Sequence, residues 1–291
     1  MLATNHDPGL RPAPNATSSA HVSFVVVPHK AGSTIITDLL AWALPTDSRG
    51  TRCYREIDCL DVRDYERSAC PWASSEKHVW RYDSGLIKHC PHGIIMFLRT
   101  PVLPSLVENT IAARYLGATQ SCSAIFQLRH PFDTLVSMFN SFTATHPPPP
   151  SFSASQSAEY RRNQAEQHAA GIDEYVLEQQ ASLRSAHEWV ITSSSAARKR
   201  GCATWIARYE DMVEDPYGWS EQFATMLHLD APKTRQRITS WAEKESKVSA
   251  DEGTHAAYVH PGAFARLLKP TTVSMLIANL SRMQLRQSGY F

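Results

Sequence analysis

The sequence has 291 residues, of which 43% are hydrophobic and 20% charged, as expected for a globular chain with a sizeable core. Its 29 Lys and Arg residues nearly balance 28 Asp and Glu residues, which leaves a net charge of +1. So small a charge excludes a general binder of nucleic acid or of membrane surfaces, because such proteins carry an excess of basic residues. An anionic ligand would have to be held by a few local groups. No apolar run reaches the ~18 residues of a transmembrane helix.

Residues 1–20 are small, polar and rich in proline, which predicts a disordered N-terminal tail. This stretch lacks the basic start and apolar centre of a secretory signal, so we expect a cytoplasmic location. Residues 21–291 are expected to form a single domain. The six cysteines form no CxxC pair, and we expect them to be reduced thiols that bind no metal.

Four short runs of apolar, often β-branched residues predict buried strands. The predicted strands are 22–28, 93–98, 122–128 and 203–208. Apolar residues at helical spacing predict helices between and after these strands. The predicted helices are 35–43, 104–116, 132–142, two over 158–198 that are broken near Gly171, 217–228, 232–247 and 271–287. Strands that alternate with helices predict an α/β fold, with a mostly parallel central sheet flanked by helices.

Three segments are predicted to be irregular: 46–92, 143–157 and 248–270. Residues 143–157 contain four consecutive prolines and many serines, which neither a helix nor a central strand tolerates. We therefore expect 143–157 to be a surface loop that acts as a lid.

Ligands of open parallel sheets bind beyond the carboxyl ends of the strands, so the residues that follow each strand are candidates for a site. After the first strand comes Lys30-Ala31-Gly32-Ser33-Thr34, where a glycine, two hydroxyls, an ammonium and a helix start favour an anion. Arg129 ends the third strand, and Ser137 follows on the next helix. An Arg fork suits a phosphate, although Arg129 could instead pair with Asp133 at the helix start. Arg99 ends the second strand.

The first loop is not a Walker A loop, because that motif places its Lys after a second glycine, and here Lys30 precedes Gly32. The loop is too short to wrap a triphosphate with Mg²⁺ and suits a single terminal phosphate. A P-loop-type small-molecule kinase would also need an acidic Mg²⁺ ligand at a strand end, whereas the third strand ends in Arg129.

Five segments resemble, in the right order, segments of the sulfotransferases of the cytosolic and bacterial type, which use 3′-phosphoadenosine 5′-phosphosulfate (PAPS). Pro28-His-Lys-Ala-Gly-Ser-Thr34 resembles their P-K-[SA]-G-[TS]-T loop, and Leu128-Arg-His-Pro-Phe-Asp-Thr-Leu-Val-Ser-Met138 resembles their second motif about 100 residues later. Arg208-Tyr-Glu-Asp-Met212 with Asp215-Pro216 resembles a third segment. His260-Pro-Gly-Ala-Phe264 resembles their late glycine-containing loop, and Gly289-Tyr290 a common ending.

The resemblance implies a P-loop-like α/β fold and no metal. It also implies transfer of the sulfuryl group from PAPS to a hydroxyl or amine of a small-molecule acceptor, with release of 3′-phosphoadenosine 5′-phosphate (PAP). The implied cofactor-binding residues are Lys30, Ala31, Gly32, Ser33 and Thr34 for the 5′ end, Arg129 and Ser137 for the 3′-phosphate, Tyr209 for the adenine, and His260 and Gly262 for closure. Lys30 would also act on the leaving oxygen.

The general base of the reaction is the open question. Many members read K-T-H after the second strand, and this chain reads Arg99-Thr100-Pro101, so the Lys is replaced and the His is missing. The candidates are His29, Glu56 and His260. The missing His also leaves open a non-catalytic module that only binds PAP or PAPS. The segments 46–92, 99–116 and 143–157 are candidates for the acceptor pocket, with Trp80, Tyr82, Phe97, Tyr115 and Phe142 as candidate lining residues.

Overall fold

A parallel sheet of five strands lies at the centre of the computed structural model, which describes residues 21–28, 30–43, 54–58, 92–98, 121–148, 152–248, 260–280 and 290. The strands are β1 (His21–Val27), β2 (Tyr54–Asp58), β3 (His92–Leu98), β4 (Ser121–Leu128) and β5 (Ala203–Arg208). Their order across the sheet is β2-β3-β1-β4-β5, and every neighbouring pair is parallel. This confirms the α/β class and the four predicted strands.

The strand β2 lies in the segment that the sequence predicts to be irregular. Its sequence Tyr54-Arg-Glu-Ile-Asp58 has three charged residues, and among the strands that the structure describes it pairs with β3 alone. An edge strand does not need the continuous apolar run of a central parallel strand. The pattern that identifies β1 is therefore missing from β2, which explains why the prediction for 46–92 is wrong here.

Nine helices are present in the described ranges. They are α1 (Ser33–Ala43), α2 (Pro131–Asn140), α3 (Ala154–Ala170), α4 (Ile172–Lys199), α5 (Tyr209–Glu214), α6 (Pro216–Leu227), α7 (Ala231–Val248), α8 (Ala263–Leu267) and α9 (Pro270–Leu280). The predicted break near Gly171 is confirmed, because this residue has φ +92° between α3 and α4. The predicted tail 1–20 and helix 104–116 lie outside the described residues. None of the described helices is long and apolar enough to cross a membrane.

The predicted lid loop 143–157 is too long at both ends. A π-helical turn (Ser141–Thr145) continues α2, closed by the hydrogen bond from His146 N to Ser141 O at 2.8 Å. The helix α3 already begins at Ala154, because Ser153 and Gln156 form a capping box. Within this segment the described residues outside helices are 146–148 and 152–153.

The sheet is buried on both faces, as the apolar run of β1 predicts. On one face Phe24 and Val26 pack with Phe126 and with Trp189 of α4. On the other face, Val25 and Val27 pack in a cluster whose helical members come from α1, α5, α6 and α7: Ile35, Ile36, Leu39, Leu40, Tyr209, Met212, Trp219, Phe223, Leu227 and Ile238. Alternate residues of one strand thus serve two separate cores.

The expectation of reduced thiols is wrong for one pair of cysteines. Cys122, in β4, and Cys202, immediately before β5, form a disulfide with a Cα–Cα distance of 4.8 Å. The pair lies at the amino end of two neighbouring parallel strands, where Ser123 faces Ala203 in the next register position. A sequence separation of 80 residues gives no local signal for this pairing.

Candidate functional site

The carboxyl ends of β1 and β4 are adjacent in the sheet, and the loop from Pro28 to Gly32 leaves the first of them. Ala31 N donates to Pro28 O at 3.2 Å, which makes the turn tight. The loop contains left-handed backbone at Lys30, with φ +63°, and at Gly32, with φ +92°. A non-glycine residue rarely adopts this conformation unless its surroundings or its function require it. The turn ends in α1, whose first N–H groups can receive an anion.

Gly32 is required by a close approach as well as by its φ angle. A Cβ atom at this position would lie 3.2 Å from Met212 Cε and 3.2 Å from Tyr209 Cδ2. The loop therefore packs directly on α5, the helix that follows β5. This contact joins the first motif of the sequence to the third.

The side chain of Lys30 lies against the end of α2. Its Nζ donates to Ser141 Oγ and is 5.8 Å from the centre of the Phe142 ring. Ser141 Oγ is in turn 2.8 Å from His146 Nδ1. The structure thus adds Ser141 and His146 to the site, and sequence reasoning missed both. The available signal was the spacing of Ser141, which lies one helical turn beyond the predicted Ser137.

Arg129, at the end of β4, is hydrogen-bonded to the backbone of the first loop. Its Nη1 donates to Lys30 O at 3.2 Å, and its Cζ is 4.6 Å from the centre of the Tyr209 ring. Arg129, Ser137 and Tyr209 are each only 3% exposed to solvent. The structure therefore brings Lys30, Gly32, Arg129 and Tyr209 together, and it buries the three residues predicted to contact the nucleotide's 3′-phosphate and adenine.

The late loop, residues 260–264, lies against the start of α2. Asp133 Oδ2 accepts a hydrogen bond from Gly262 N at 2.7 Å, and Asp133 Oδ1 accepts one from Phe264 N at 2.9 Å. Gly262 has φ +78°. Asp133 thus uses its carboxylate on the backbone of the late loop, and the charge of Arg129 also acts on it. The side chain of Asp133 is fully buried.

A buried polar cluster lies behind these contacts. His130 N donates to Glu210 Oε1 and Tyr290 Oη donates to Glu210 Oε2, each at 2.7 Å. The His130 ring stacks on Phe264 with centroids 4.6 Å apart, and its Nδ1 accepts from Phe132 N. Burial lowers the pKa of His130 to about 4, against the opposing effect of the Glu210 carboxylate. His130 is therefore a neutral residue that shapes the turn between β4 and α2.

The remaining predicted residues are only partly described. His29 and Arg99 lie outside the described residues, and Glu56 is in β2, which β3 separates from β1. His260 opens the late loop, and its buried Nε2 has no hydrogen-bond partner within the described part of the chain. Ser33 is the first residue of α1, and Thr34 after it is exposed. No three His, Cys, Asp or Glu side chains in these described ranges cluster as metal ligands would.

Comparison with solved structures identifies this architecture as the fold of the sulfotransferases. The mouse sulfotransferase SULT7A1, solved in complex with PAP, matches over 91% of this chain and 85% of its own, with a TM-score of 0.50 and 15% sequence identity. Sulfotransferase STF9 from Mycobacterium avium matches over 90% of this chain and 76% of its own, with a TM-score of 0.42 and 14% identity. No family model and no curated protein sequence matches the chain. The fold implied by the sequence motifs is thus confirmed.

Proposed function

We propose that the protein is a PAPS-dependent sulfotransferase that transfers a sulfuryl group to a hydroxyl or amine of a small-molecule acceptor and releases PAP. The observation that carries the proposal is that four of the sequence motifs, the Lys30 loop, the second, the third and the late loop, meet at the carboxyl ends of the strands. The Lys30 loop rests on Tyr209 of the third motif and is braced by Arg129 of the second. Asp133 of the second motif holds the late loop. The mouse neighbour with this fold binds PAP.

The chemistry needs little from the protein beyond positioning and charge, because PAPS supplies a sulfuryl group already activated by its link to phosphate. In the proposal the loop N–H groups and the hydroxyls of Ser33 and Thr34 hold the 5′ end. The ammonium of Lys30 neutralises the leaving oxygen in an in-line displacement. Arg129 and Ser137 bind the 3′-phosphate, Tyr209 lies near the adenine, and the loop of His260 and Gly262 closes the site.

A proton must also leave the acceptor. His29, Glu56 and Arg99 stay in the proposal as candidate catalytic residues, with His260 as a further candidate for the base. His146 joins them, because a single hydroxyl, that of Ser141, separates its Nδ1 from the Lys30 ammonium. Imidazole is suited to this role near neutral pH.

Two alternatives make different predictions for binding. A non-catalytic module would bind PAP without turning PAPS over, and the absent His after Arg99-Thr100 motivates it. A small-molecule kinase would bind ATP with Mg²⁺, but Arg129 stands where its acidic metal ligand would be needed. The position of Lys30 before Gly32 also favours the sulfotransferase.

Calorimetry of the full chain with PAP, and separately with ATP plus Mg²⁺, tests the nucleotide class. We expect PAP to bind and ATP plus Mg²⁺ to bind far more weakly; the reverse result would refute the proposal. A panel of hydroxylated and amine metabolites is then offered with PAPS while PAP release is measured. Binding of PAP with no release for any acceptor favours the non-catalytic module.

The proposed location is the cytoplasm, and one observation opposes it. Disulfides such as Cys122–Cys202 persist mainly in oxidising compartments and are rare in reducing cytosol. Fractionation of the native cell, with thiols blocked at lysis, distinguishes a cytoplasmic location from an oxidising compartment. Recovery in the cytoplasmic fraction with Cys122 and Cys202 still linked would support both features together.

A further inference from the structure

We propose that Asp133 is a positioning residue that holds the late loop, residues 260–264, in its nucleotide-binding position. The proposal rests on the proposed function, because it assumes that Gly262 closes over PAPS or PAP. Asp133 touches neither nucleotide nor acceptor in this proposal. It acts through the backbone of the loop.

The first argument is the pair of hydrogen bonds that Asp133 makes. Its two oxygens accept from two different backbone N–H groups, of Gly262 at 2.7 Å and of Phe264 at 2.9 Å. A bidentate contact fixes both the position and the orientation of the segment between them. Bonds to an ionised carboxylate are also stronger than bonds between neutral groups.

The second argument is the cost of burying this carboxylate. Asp133 is fully buried, and burial raises the pKa of its carboxyl group. The N–H groups of the late loop and the charge of Arg129 act in the opposite direction and favour the ionised form. A buried carboxylate is tolerated where specific partners compensate its lost hydration, and here two of those partners are the loop itself.

The third argument is where Asp133 stands in the chain. It lies on α2 between Arg129, which precedes the helix, and Ser137, which lies one turn further on. The stack of His130 on Phe264 adds a second contact between the same two segments. The proposed 3′-phosphate residues and the late loop are therefore in direct contact. Displacement of the late loop is expected to weaken nucleotide binding while the 3′-phosphate residues stay in place.

Asp173 provides a matched control, because it bonds the backbone a few residues beyond the late loop. Its Oδ1 accepts from Lys269 N at 2.9 Å, so it also holds a backbone N–H just beyond the late loop. Both residues are aspartates that bond main-chain N–H groups across a helix contact. Asp173 belongs to neither the proposed binding residues nor the loop.

The test compares Asp133→Asn with Asp173→Asn in the full chain. Asp133→Asn keeps the shape of the side chain but turns an amide N–H₂ toward one of the loop N–H groups. We expect its Kd for PAP and its KM for PAPS to rise about 10-fold or more, with kcat within about twofold of wild type. Asp173→Asn should leave all three values unchanged. Hydrogen exchange at 262–264 should become faster only in Asp133→Asn.

Each outcome decides something. Unchanged PAP affinity in a folded Asp133→Asn, with wild type binding normally, overturns this proposal and leaves the sulfotransferase proposal standing. Failure of wild type to bind PAP overturns both. If Asp133→Asn does not fold, Asp133→Ser removes the charge and leaves room for a water. Normal PAP binding by that variant would also overturn the positioning role.

Discussion

Lys30 combines a costly backbone conformation with the charge that the proposed reaction needs. Its φ of +63° places a bulky residue in the left-handed region, while its Nζ reaches Ser141 and its carbonyl accepts from Arg129. Left-handed backbone costs a non-glycine residue about 1 kcal/mol or more. Loop conformation and side-chain function are therefore separable by mutation at this position.

We expect Lys30→Ala and Lys30→Gly to lose about 10²–10³-fold in turnover, since both lack the ammonium for the leaving oxygen. Lys30→Gly should nevertheless have a free energy of unfolding about 1 kcal/mol higher than that of Lys30→Ala in urea titrations, because glycine adopts φ +63° without strain. Both variants lose the Ser141 contact, so each controls for the other. Measurable turnover close to wild type in either variant would contradict the role of Lys30. Equal stability would contradict the strain.

The residues that sequence reasoning found and those it missed differ in what identifies them. Gly32 and Arg129 stand at strand ends in recognisable motifs, and the structure brings them together. Ser141 contacts Lys30, which lies 111 residues before it, and His146 joins the site through Ser141. Asp133 is within a motif, but its partners lie 129 and 131 residues away. Contacts between residues so far apart in sequence form only when the sheet has formed, and no local sequence pattern predicts them.

At the scale of elements, the central strands and the edge strand β5 were predictable from the sequence, and the other edge strand, β2, was not. The run of β1 is apolar because both of its faces are covered. In β2 charged residues are tolerated at an edge, and the capping box at Ser153 starts α3 inside a segment that its prolines mark as loop. Prediction succeeded where apolar residues form a pattern, as in β1 and β5, and it failed where charged residues fill a strand, as in β2, or where side-chain capping starts a helix, as in α3.

The disulfide between β4 and β5 offers a test at this scale. Cys122 and Cys202 are buried at the amino ends of their strands, opposite the site at the carboxyl ends. A crosslink that closes a loop of this length stabilises by about 4–5 kcal/mol, mainly by restricting the unfolded chain. We expect the double variant Cys122→Ala and Cys202→Ala to lose about that much stability and to keep the PAP affinity of wild type. Urea unfolding and calorimetry measure the two quantities.

The single variant Cys202→Ala serves as the control for the disulfide. It already breaks the bond, so its loss of stability should approach that of the double variant. A wild-type chain whose unfolding is unaffected by reductant, or whose Cys122 and Cys202 peptides are not linked on mass mapping, would contradict the disulfide. A fall in PAP affinity in the double variant would contradict the separation between crosslink and site.

At the scale of the whole molecule, a buried polar cluster ties distant parts of the chain behind the site. Glu210 accepts from His130 N after β4 and from Tyr290 Oη near the end of the sequence. Arg208 Cζ lies 4.8 Å from the centre of the Tyr290 ring, and His187 of α4 meets the same ring. Burial lowers the pKa of both His130 and His187 to about 4. The net charge of +1 therefore does not show that a few buried ionisable groups interact in the interior.

The two histidines make stability depend on pH in a definite direction. Their folded pKa values of about 4 lie below the ordinary 6.5, so between these limits the unfolded chain binds protons that the folded protein does not. Their contribution is complete above pH 6.5 and is lost as the pH falls toward 4, by up to about 3 kcal/mol for one such group. In His187→Phe, which keeps a ring against Tyr290, the number of protons taken up on unfolding over this range should fall by about one. The slope of the unfolding free energy against pH should fall accordingly. Urea titrations at about pH 4.5, 5.5 and 6.5 give the free energy of unfolding at each pH, and the slope follows from these values. An unchanged slope in this variant would show that His187 does not remain neutral in the folded protein.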